Sequence, residues 1–164
     1  MAMVFAHIET EIDLCEVQAP DCAENGTAAI RILERLLRAG ESVFEEWVRA
    51  RDLEPTEDER EGFRLLALHR QGSKGEPSFN ACRETCRELC YYYNLVTMEP
   101  DHPEVAARVR LAVLVTRHLY LFVSGKMQVE NLGEFCCSSR PVRSHDEAGA
   151  TTPNQQSTAD AAGT

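Results

Sequence analysis

Apolar residues between positions 79 and 96 recur at alternating steps of three and four residues, and no other feature of the sequence constrains the fold as much. Side chains spaced in this way share one face of an α-helix. In a β-strand, the side chains on one face recur at every second residue instead. The series is Phe79, Cys82, Cys86, Leu89, Tyr93 and Val96. We therefore predict a helix that begins near Pro77 or Ser78 and packs this face against other helices.

Two segments nearer the N-terminus also have helical spacing. Residues 3–17 are interpreted as a helix, although Ile12 and Leu14, which lie between acids, also permit a short strand. Residues 27–51 carry apolar side chains on one face and charged side chains on the other, which predicts a long amphipathic helix. Pro55 ends this segment.

A capping pattern marks the start predicted for the third helix. Thr56 supplies a hydroxyl at the N-cap, and Glu59 is placed three residues later to reach back to the backbone. The helix is predicted to run from this box to about Arg70, with its apolar residues facing inward, and to end at Gly72.

A similar box of Asp101 and Glu104 predicts the start of a fifth helix, which Gly125 is expected to end. Because residues 111–115 are apolar almost all round, we predict that this helix is the most buried. A short sixth element, more consistent with a helix than with a strand, is predicted over residues 127–137.

Together these elements predict an all-α fold, a single compact bundle of five to six helices over residues 1–137. Residues 138–164 are rich in Ser, Thr, Pro, Gln, Ala and Gly, which predicts a disordered polar tail. No apolar run approaches the ~20 residues needed to span a bilayer, so we predict no membrane span. The first residues lack the basic region of a secretory signal, which favours an intracellular location, cytoplasmic or nuclear.

Charge is distributed unevenly along the chain, whose net charge is −10. Residues 1–61 contain 16 acids and six bases, whereas the remaining residues contain 11 of each. A negative net charge argues against a protein that grips nucleic acid through phosphates or binds an anionic membrane. We therefore predict a protein partner that has a basic surface, or that offers a groove or a helix, and that contacts the acidic N-terminal part.

The helix over 27–51 contains the most specific candidate docking residues. Leu33, Leu36 and Leu37 form a Leu-x-x-Leu-Leu segment, a spacing that helices use to dock in hydrophobic grooves. Gly40 and Glu41 follow on the same helix and complete the candidate set. The alternative for the leucines is packing in the core of the chain itself, because the pattern is common in amphipathic helices.

Aromatic residues near the end of the helix over 79–96 provide a second candidate. Tyr91, Tyr92 and Tyr93 are adjacent, so they cannot share one helix face. Exposed aromatic side chains frequently anchor protein interfaces. We predict Tyr91 and Tyr92 as anchors at the rim of a partner-binding surface; the alternative is that each ring packs inward with only its hydroxyl in water.

Residues 32–43 resemble the death-motif helix of the Bcl-type apoptosis regulators. The matching residues are Ile32, Leu36, Ala39, Gly40, Glu41 and Val43. In that family the small residues permit close approach, and an acid, usually aspartate, pairs with an arginine in the groove. The family's Asn-Trp-Gly-Arg sequence is absent before residues 103–124. The resemblance implies an apoptosis regulator as an alternative function.

Three cysteines suggest a further alternative. Cys82, Cys86 and Cys90 lie four residues apart, so they form one row on a helix. Zinc is usually bound by four nitrogen or sulfur ligands, and Cys136 and Cys137, or else His69 or His118, could complete such a set. The three cysteines are more simply small core residues, and we predict no other cofactor. The alternative is thus a zinc-stabilised helical module.

The sequence contains no Gly-x-Ser-x-Gly elbow, no His-Glu-x-x-His motif and no glycine-rich phosphate loop, so we predict that the protein is not an enzyme. The favoured function is a non-catalytic interaction or regulatory protein of the adaptor or viral-accessory type. A homodimer stays open, because the face over 79–96 could meet a helix of its own chain or of a second copy.

Overall fold

Five α-helices joined by turns make up residues 2–132, the part of the chain that the computed structural model describes. The helices are α1 (Ala2–Gln18), α2 (Gly26–Arg49), α3 (Arg64–Gly72), α4 (Asn80–Met98) and α5 (Val105–Val129), with 3₁₀ turns at Ala19–Glu24 and Pro77–Phe79. No strand occurs within these residues. The predicted all-α fold is therefore confirmed, and the N-terminal segment is a helix.

Helix α2 lies at the centre of the bundle and packs against each of the other four helices. Its sequence separates apolar from charged residues sharply, because one face must contact its neighbours while the other meets water. Asn25 begins the helix, since its side-chain oxygen accepts a hydrogen bond of 2.9 Å from the Ala28 amide. This arrangement places the middle of α2 in the main core.

An aromatic cluster joins α2 to the other elements. The Trp47 ring of α2 lies 4.6 Å, centroid to centroid, from Phe79, which in turn lies 5.6 Å from Phe122 of α5. The Trp47 indole N–H donates to the Gly72 carbonyl at 3.0 Å, so its one polar atom is satisfied within the core. The cluster thus packs the end of α3 and the start of α4 against α2 and α5.

The start predicted for the third helix is wrong. Thr56 does not cap a helix; its hydroxyl accepts a bond of 3.1 Å from the Asp58 amide, which forms a local turn. Glu61 and Gly62 both have positive φ angles, and this conformation cannot continue a right-handed helix. Helix α3 therefore begins only at Arg64, eight residues after Thr56.

The bounds predicted for the fifth helix are also wrong. Helix α5 starts after Glu104, whose amide donates to the His102 ring nitrogen at 3.1 Å. Gly125 does not end it, because the buried Met127 extends the packed face by another turn. Residues 127–129 therefore belong to α5 rather than to a sixth element, and residues 133–137 of that element lie outside the described residues.

The expectation that α5 is the most buried helix fails as well. Leu111 and Leu114 lie in its apolar centre, yet 45% and 56% of their surfaces are exposed. A helix that is apolar all round needs neighbours on every side to be buried. Here α1, α2 and α4 cover only part of the circumference of α5.

None of the helices in residues 2–132 combines the length and apolar character that crossing a membrane requires, as expected from the sequence. The tail predicted for residues 138–164 lies outside the described residues. The helical part of the predicted domain over residues 1–137 is described as far as Leu132, which packs against the core after the end of α5.

A candidate partner-binding surface

The three leucines predicted to dock a partner lie in the core. Leu33 and Leu36 have no exposed surface, and Leu37 is also buried. They share the apolar face of α2 with its other core residues, so the spacing of the segment serves packing within the chain. In this fold none of the three side chains offers a surface for a partner to contact.

Gly40 and Glu41 mark the point where α2 approaches α3 and α4. A methyl group at Gly40 would lie 3.3 Å from Leu65 and 3.5 Å from Leu89, so the glycine allows these helices to come close. Glu41 is partly buried, and its carboxylate lies 3.8 Å from the guanidinium of Arg64. Burial raises the pKa of Glu41, while the charge of Arg64 opposes this effect.

Tyr91 borders a shallow depression of about 240 Å³ between α3 and α4, which we call the Tyr91 depression. Its apolar lining comes from the side chains of Phe63, Leu66 and Cys90, and 57% of the Tyr91 surface is exposed. The remaining lining residues are Glu61, Arg87 and Asn94. An exposed aromatic ring beside an apolar floor with a polar rim is the arrangement found at many protein interfaces.

A tight turn presents two of these side chains. Arg60 and Phe63 exchange backbone hydrogen bonds of 3.1 and 3.0 Å across Glu61 and Gly62, whose positive φ angles give the turn its mirror-image form. The turn places Phe63 against Tyr93 of α4, with ring centroids 5.8 Å apart. It also places Glu61 beside Arg87, at 2.7 Å. The rim of the depression is therefore tied to α4 by one aromatic contact and one ion pair.

Acidic residues are concentrated in the segment that leads to this turn. Residues 52–61 contain six acids and a single base, and most of their side chains are exposed. Glu57 is paired with Arg64 at 2.9 Å, and Glu61 with Arg87 as described. The acidic surface predicted from the N-terminal part of the sequence thus reaches the edge of the Tyr91 depression through Glu61.

Tyr92, the other predicted anchor, does not line the depression. It is partly buried, and its hydroxyl donates to Glu88 at 3.4 Å on the same helix. Phe63 and Leu66 were predicted as inward positions of a helix, and their place beside the depression was missed. The signal for it was Gly62, which interrupts the predicted helix and permits the turn before Phe63.

The row of cysteines on α4 is buried. Cys82, Cys86 and Cys90 have at most 4% exposed surface, and burial raises the pKa of Cys82 to about 11 and that of Cys90 to about 12. Zinc binds thiolates, and these environments favour the neutral thiol. No cluster of three potential metal ligands occurs among residues 2–132, and Cys136 and Cys137 lie outside them. Among the described residues, the candidate cysteine ligands of this alternative are therefore only buried thiols.

His69 is the histidine of α3, and it is also occupied within the core. Since a carbonyl oxygen only accepts, its Nε2–H donates to the Phe79 carbonyl, at 2.8 Å. The Phe44 ring packs edge-on against the imidazole at 5.5 Å. Burial lowers the pKa of His69 and keeps the ring neutral. It thus serves to join α3 to the start of α4.

Comparison of the chain with the known protein families, with curated proteins and with solved structures finds no match in any of the three.

Proposed function

We propose that this protein is a non-catalytic interaction protein and that a protein partner docks at the Tyr91 depression. The observation that carries the proposal is the convergence of an exposed tyrosine, an apolar floor and the end of an acidic segment at one place. The partner inserts an apolar side chain over Phe63 and Leu66 and places basic side chains against the carboxylates of residues 52–61. Such complementary charges would accelerate association and fix the register of the complex.

The state of the reactive groups supports a non-catalytic role. The described cysteines are buried free thiols, and burial raises their pKa values, so they are weak nucleophiles at neutral pH. Free thiols also fit a reducing compartment, which agrees with the proposed location in the cytoplasm or nucleus.

Affinity purification with a matched pair of variants tests the proposal. Tyr91→Ala removes the ring beside the depression, whereas Met98→Ala removes an 80% exposed side chain from the same helix. A docked partner should be identified by mass spectrometry with the wild-type chain and with Met98→Ala, and lost with Tyr91→Ala. Retention of every partner by a folded Tyr91→Ala chain would overturn the proposal.

The charge component has a separate test. With the purified partner, affinity should fall as salt increases, because exposed ion pairs are screened. Exchanging Asp58 and Glu59 for Asn and Gln should weaken this salt dependence. An affinity that changes neither with salt nor with the exchange of Asp58 and Glu59 would exclude the acidic segment from the binding site.

The Bcl-type alternative is tested on the same protein by titration with death-motif peptides. The face of α2 that carries the resemblance is buried, so this helix cannot itself dock in the groove of a partner. The peptides test whether the chain offers such a groove of its own; under the favoured function we expect no saturable binding while the helical circular-dichroism signal stays intact. Saturable binding of these peptides at micromolar concentration would instead favour the apoptosis regulator.

A further inference from the structure

A cleft of about 650 Å³ lies between the acidic segment and the end of α3, and it shares no lining residue with the Tyr91 depression. We call it the α3 cleft. The acidic segment contributes Asp58, Glu59 and Arg60 to its lining, and the last turn of α3 with the residues after it contributes Arg70, Gln71 and Lys74. The cleft therefore presents acidic and basic side chains together.

Four of these charges have no partner among residues 2–132. The side chains of Asp58, Glu59, Arg70 and Lys74 are exposed, and none of them forms an ion pair or a hydrogen bond within the part of the chain that the structure describes. By contrast, Arg64 nearby lies within 4 Å of three carboxylates. Two unpaired acids and two unpaired bases around one cleft are complementary to a ligand that carries both signs of charge.

The end of α5 lies close to this cleft. Arg51 donates hydrogen bonds to both Glu76 and Glu130, so the loop after α3 and the residues that follow α5 are joined by one guanidinium. Lys74 precedes Glu76 by two residues, and Leu132 follows Glu130 by two. The part of the chain that follows Leu132 therefore starts near the basic side of the α3 cleft.

The sequence after Leu132 contains the complementary charges. Arg140 and Arg143 are its only bases, and Asp146 and Glu147 follow them closely. Eight residues separate Leu132 from Arg140, and an extended chain of this length spans up to about 26 Å. The bases and the acids are thus close enough to each other, and to the described end of the chain, to meet the two sides of one cleft.

We propose that residues 140–147 of this chain bind in the α3 cleft, with their two arginines against the carboxylates of Asp58 and Glu59 and their two acids against Arg70 and Lys74. Exposed ion pairs are individually weak. A short tether gives the segment an effective concentration of about millimolar at the cleft, so several weak contacts together keep it bound.

The bound segment covers two carboxylates of the acidic segment. A partner that uses them must displace residues 140–147 first, which makes the tail a competitor of that partner. This consequence rests on the proposed function, whereas the docking itself does not.

Carbodiimide cross-linking of the full chain, without any partner, tests the docking. The reagent joins a carboxylate to an amine with no spacer, and Lys74 and Lys126 are the only lysines. Mass spectrometry of the tryptic peptides from the monomeric product should show Lys74 joined to Asp146 or Glu147. Absence of this cross-link would overturn the proposal and would leave the proposed function of the Tyr91 depression standing.

A variant that keeps both cross-linking groups tests the arginine side. Arg140→Glu with Arg143→Glu should abolish the cross-link, because it sets acids against the carboxylates of the cleft. The matched control is Arg31→Glu with Arg110→Glu, which changes the net charge equally at two exposed arginines without an ion pair in the described residues. The control should retain the cross-link.

A charge exchange distinguishes direct contact from a loss of fold. Asp58→Arg with Glu59→Arg should also abolish the cross-link, and adding these changes to Arg140→Glu with Arg143→Glu should restore it. A cross-link that persists when only the tail arginines are reversed, or a fourfold variant that stays helical but does not recover it, would exclude the two-sided contact. A cross-link found only between two copies would exclude docking within one chain.

Discussion

Helices α2 and α5 are the two long central helices of this bundle, yet their outer faces differ. The outer face of α2 is charged, so every large apolar side chain on that helix points into the core or lies against it. The outer face of α5 retains three exposed leucines. The leucines of α2 therefore stabilise the fold by their burial, whereas the outer leucines of α5 contribute little to the core.

Exchange of one leucine on each helix gives the largest expected contrast. Leu36→Ala on α2 should lower the free energy of unfolding by about 3–5 kcal/mol, because it leaves a cavity in the core. Leu114→Ala on α5 should change it by less than about 1 kcal/mol in the monomer. Urea denaturation of dilute protein measures both values. Similar losses for the two variants would contradict the difference in burial, and a folded Leu36→Asp chain would reopen α2 as a docking helix.

Exchange of Gly26 at the start of α2 should have the next largest effect. A methyl group there would lie 2.4 Å from the backbone oxygen of Pro100, so the turn before α5 must move. We expect Gly26→Ala to lower the free energy of unfolding by about 1–3 kcal/mol. A thermal melt that matches the wild type would show that this approach of α2 to the turn is looser than described.

The pH dependence of the free energy of unfolding tests whether His69 is shielded from water beside α2. Burial lowers the pKa of His69 in the folded protein, so the unfolded chain takes up the proton first as the pH falls. This contribution to stability is present above the ordinary histidine pKa of about 6.5 and is lost as the pH falls below it, towards the folded value. His69→Gln removes the titrating group, so urea midpoints from pH 7.5 to about 5 should fall less steeply. Equal slopes for the two proteins would mean that the ring titrates alike in both states.

Exchange of Gly125 on α5 should have the smallest effect, and it should stabilise the protein instead of destabilising it. Apart from its chain neighbours and the backbone of its own helix, no described atom lies within 4 Å of where its methyl group would be. Gly125→Ala should therefore raise the free energy of unfolding of the monomer by about 0.5–1 kcal/mol, because alanine loses less backbone entropy in a helix. A loss of stability in dilute protein would show that the space above Gly125 is already filled.

The sequence alone was sufficient to predict that the chain is helical and which residues form much of its core. The spacing from Phe79 to Val96 predicted α4, and the structure answers the question left open by that face, since it packs within its own chain. The apolar face over 27–51 likewise predicted α2. Both patterns are local, because each helix separates its apolar and polar sides within its own sequence.

The predictions failed where the structure depends on contacts between residues that are far apart in the sequence. The box at Thr56 is a sound local signal, but Gln71 of α3 accepts from the Thr56 amide, and that bond competes with a helix start. The exposure of Leu114 could not be read from α5 alone, because it depends on where α1 and α4 are placed around the helix. The Tyr91 depression was missed for the same reason, since Phe63 and Cys90 meet only after the turn at Gly62 forms.

The bonds around Gln71 have a consequence for binding energetics. Its side chain accepts from the Thr56 amide at 2.8 Å and donates to the Glu54 carbonyl at 2.7 Å, and Arg64 donates to the Thr56 carbonyl at 3.0 Å. The backbone of the acidic segment between α2 and α3 is therefore tied to α3 at Glu54 and Thr56, although the segment has no regular structure. Ordering such a segment at the moment of binding would cost conformational entropy. Here the backbone at Glu54 and Thr56 is already held in the folded chain, so less backbone entropy remains to be lost when a partner binds this segment.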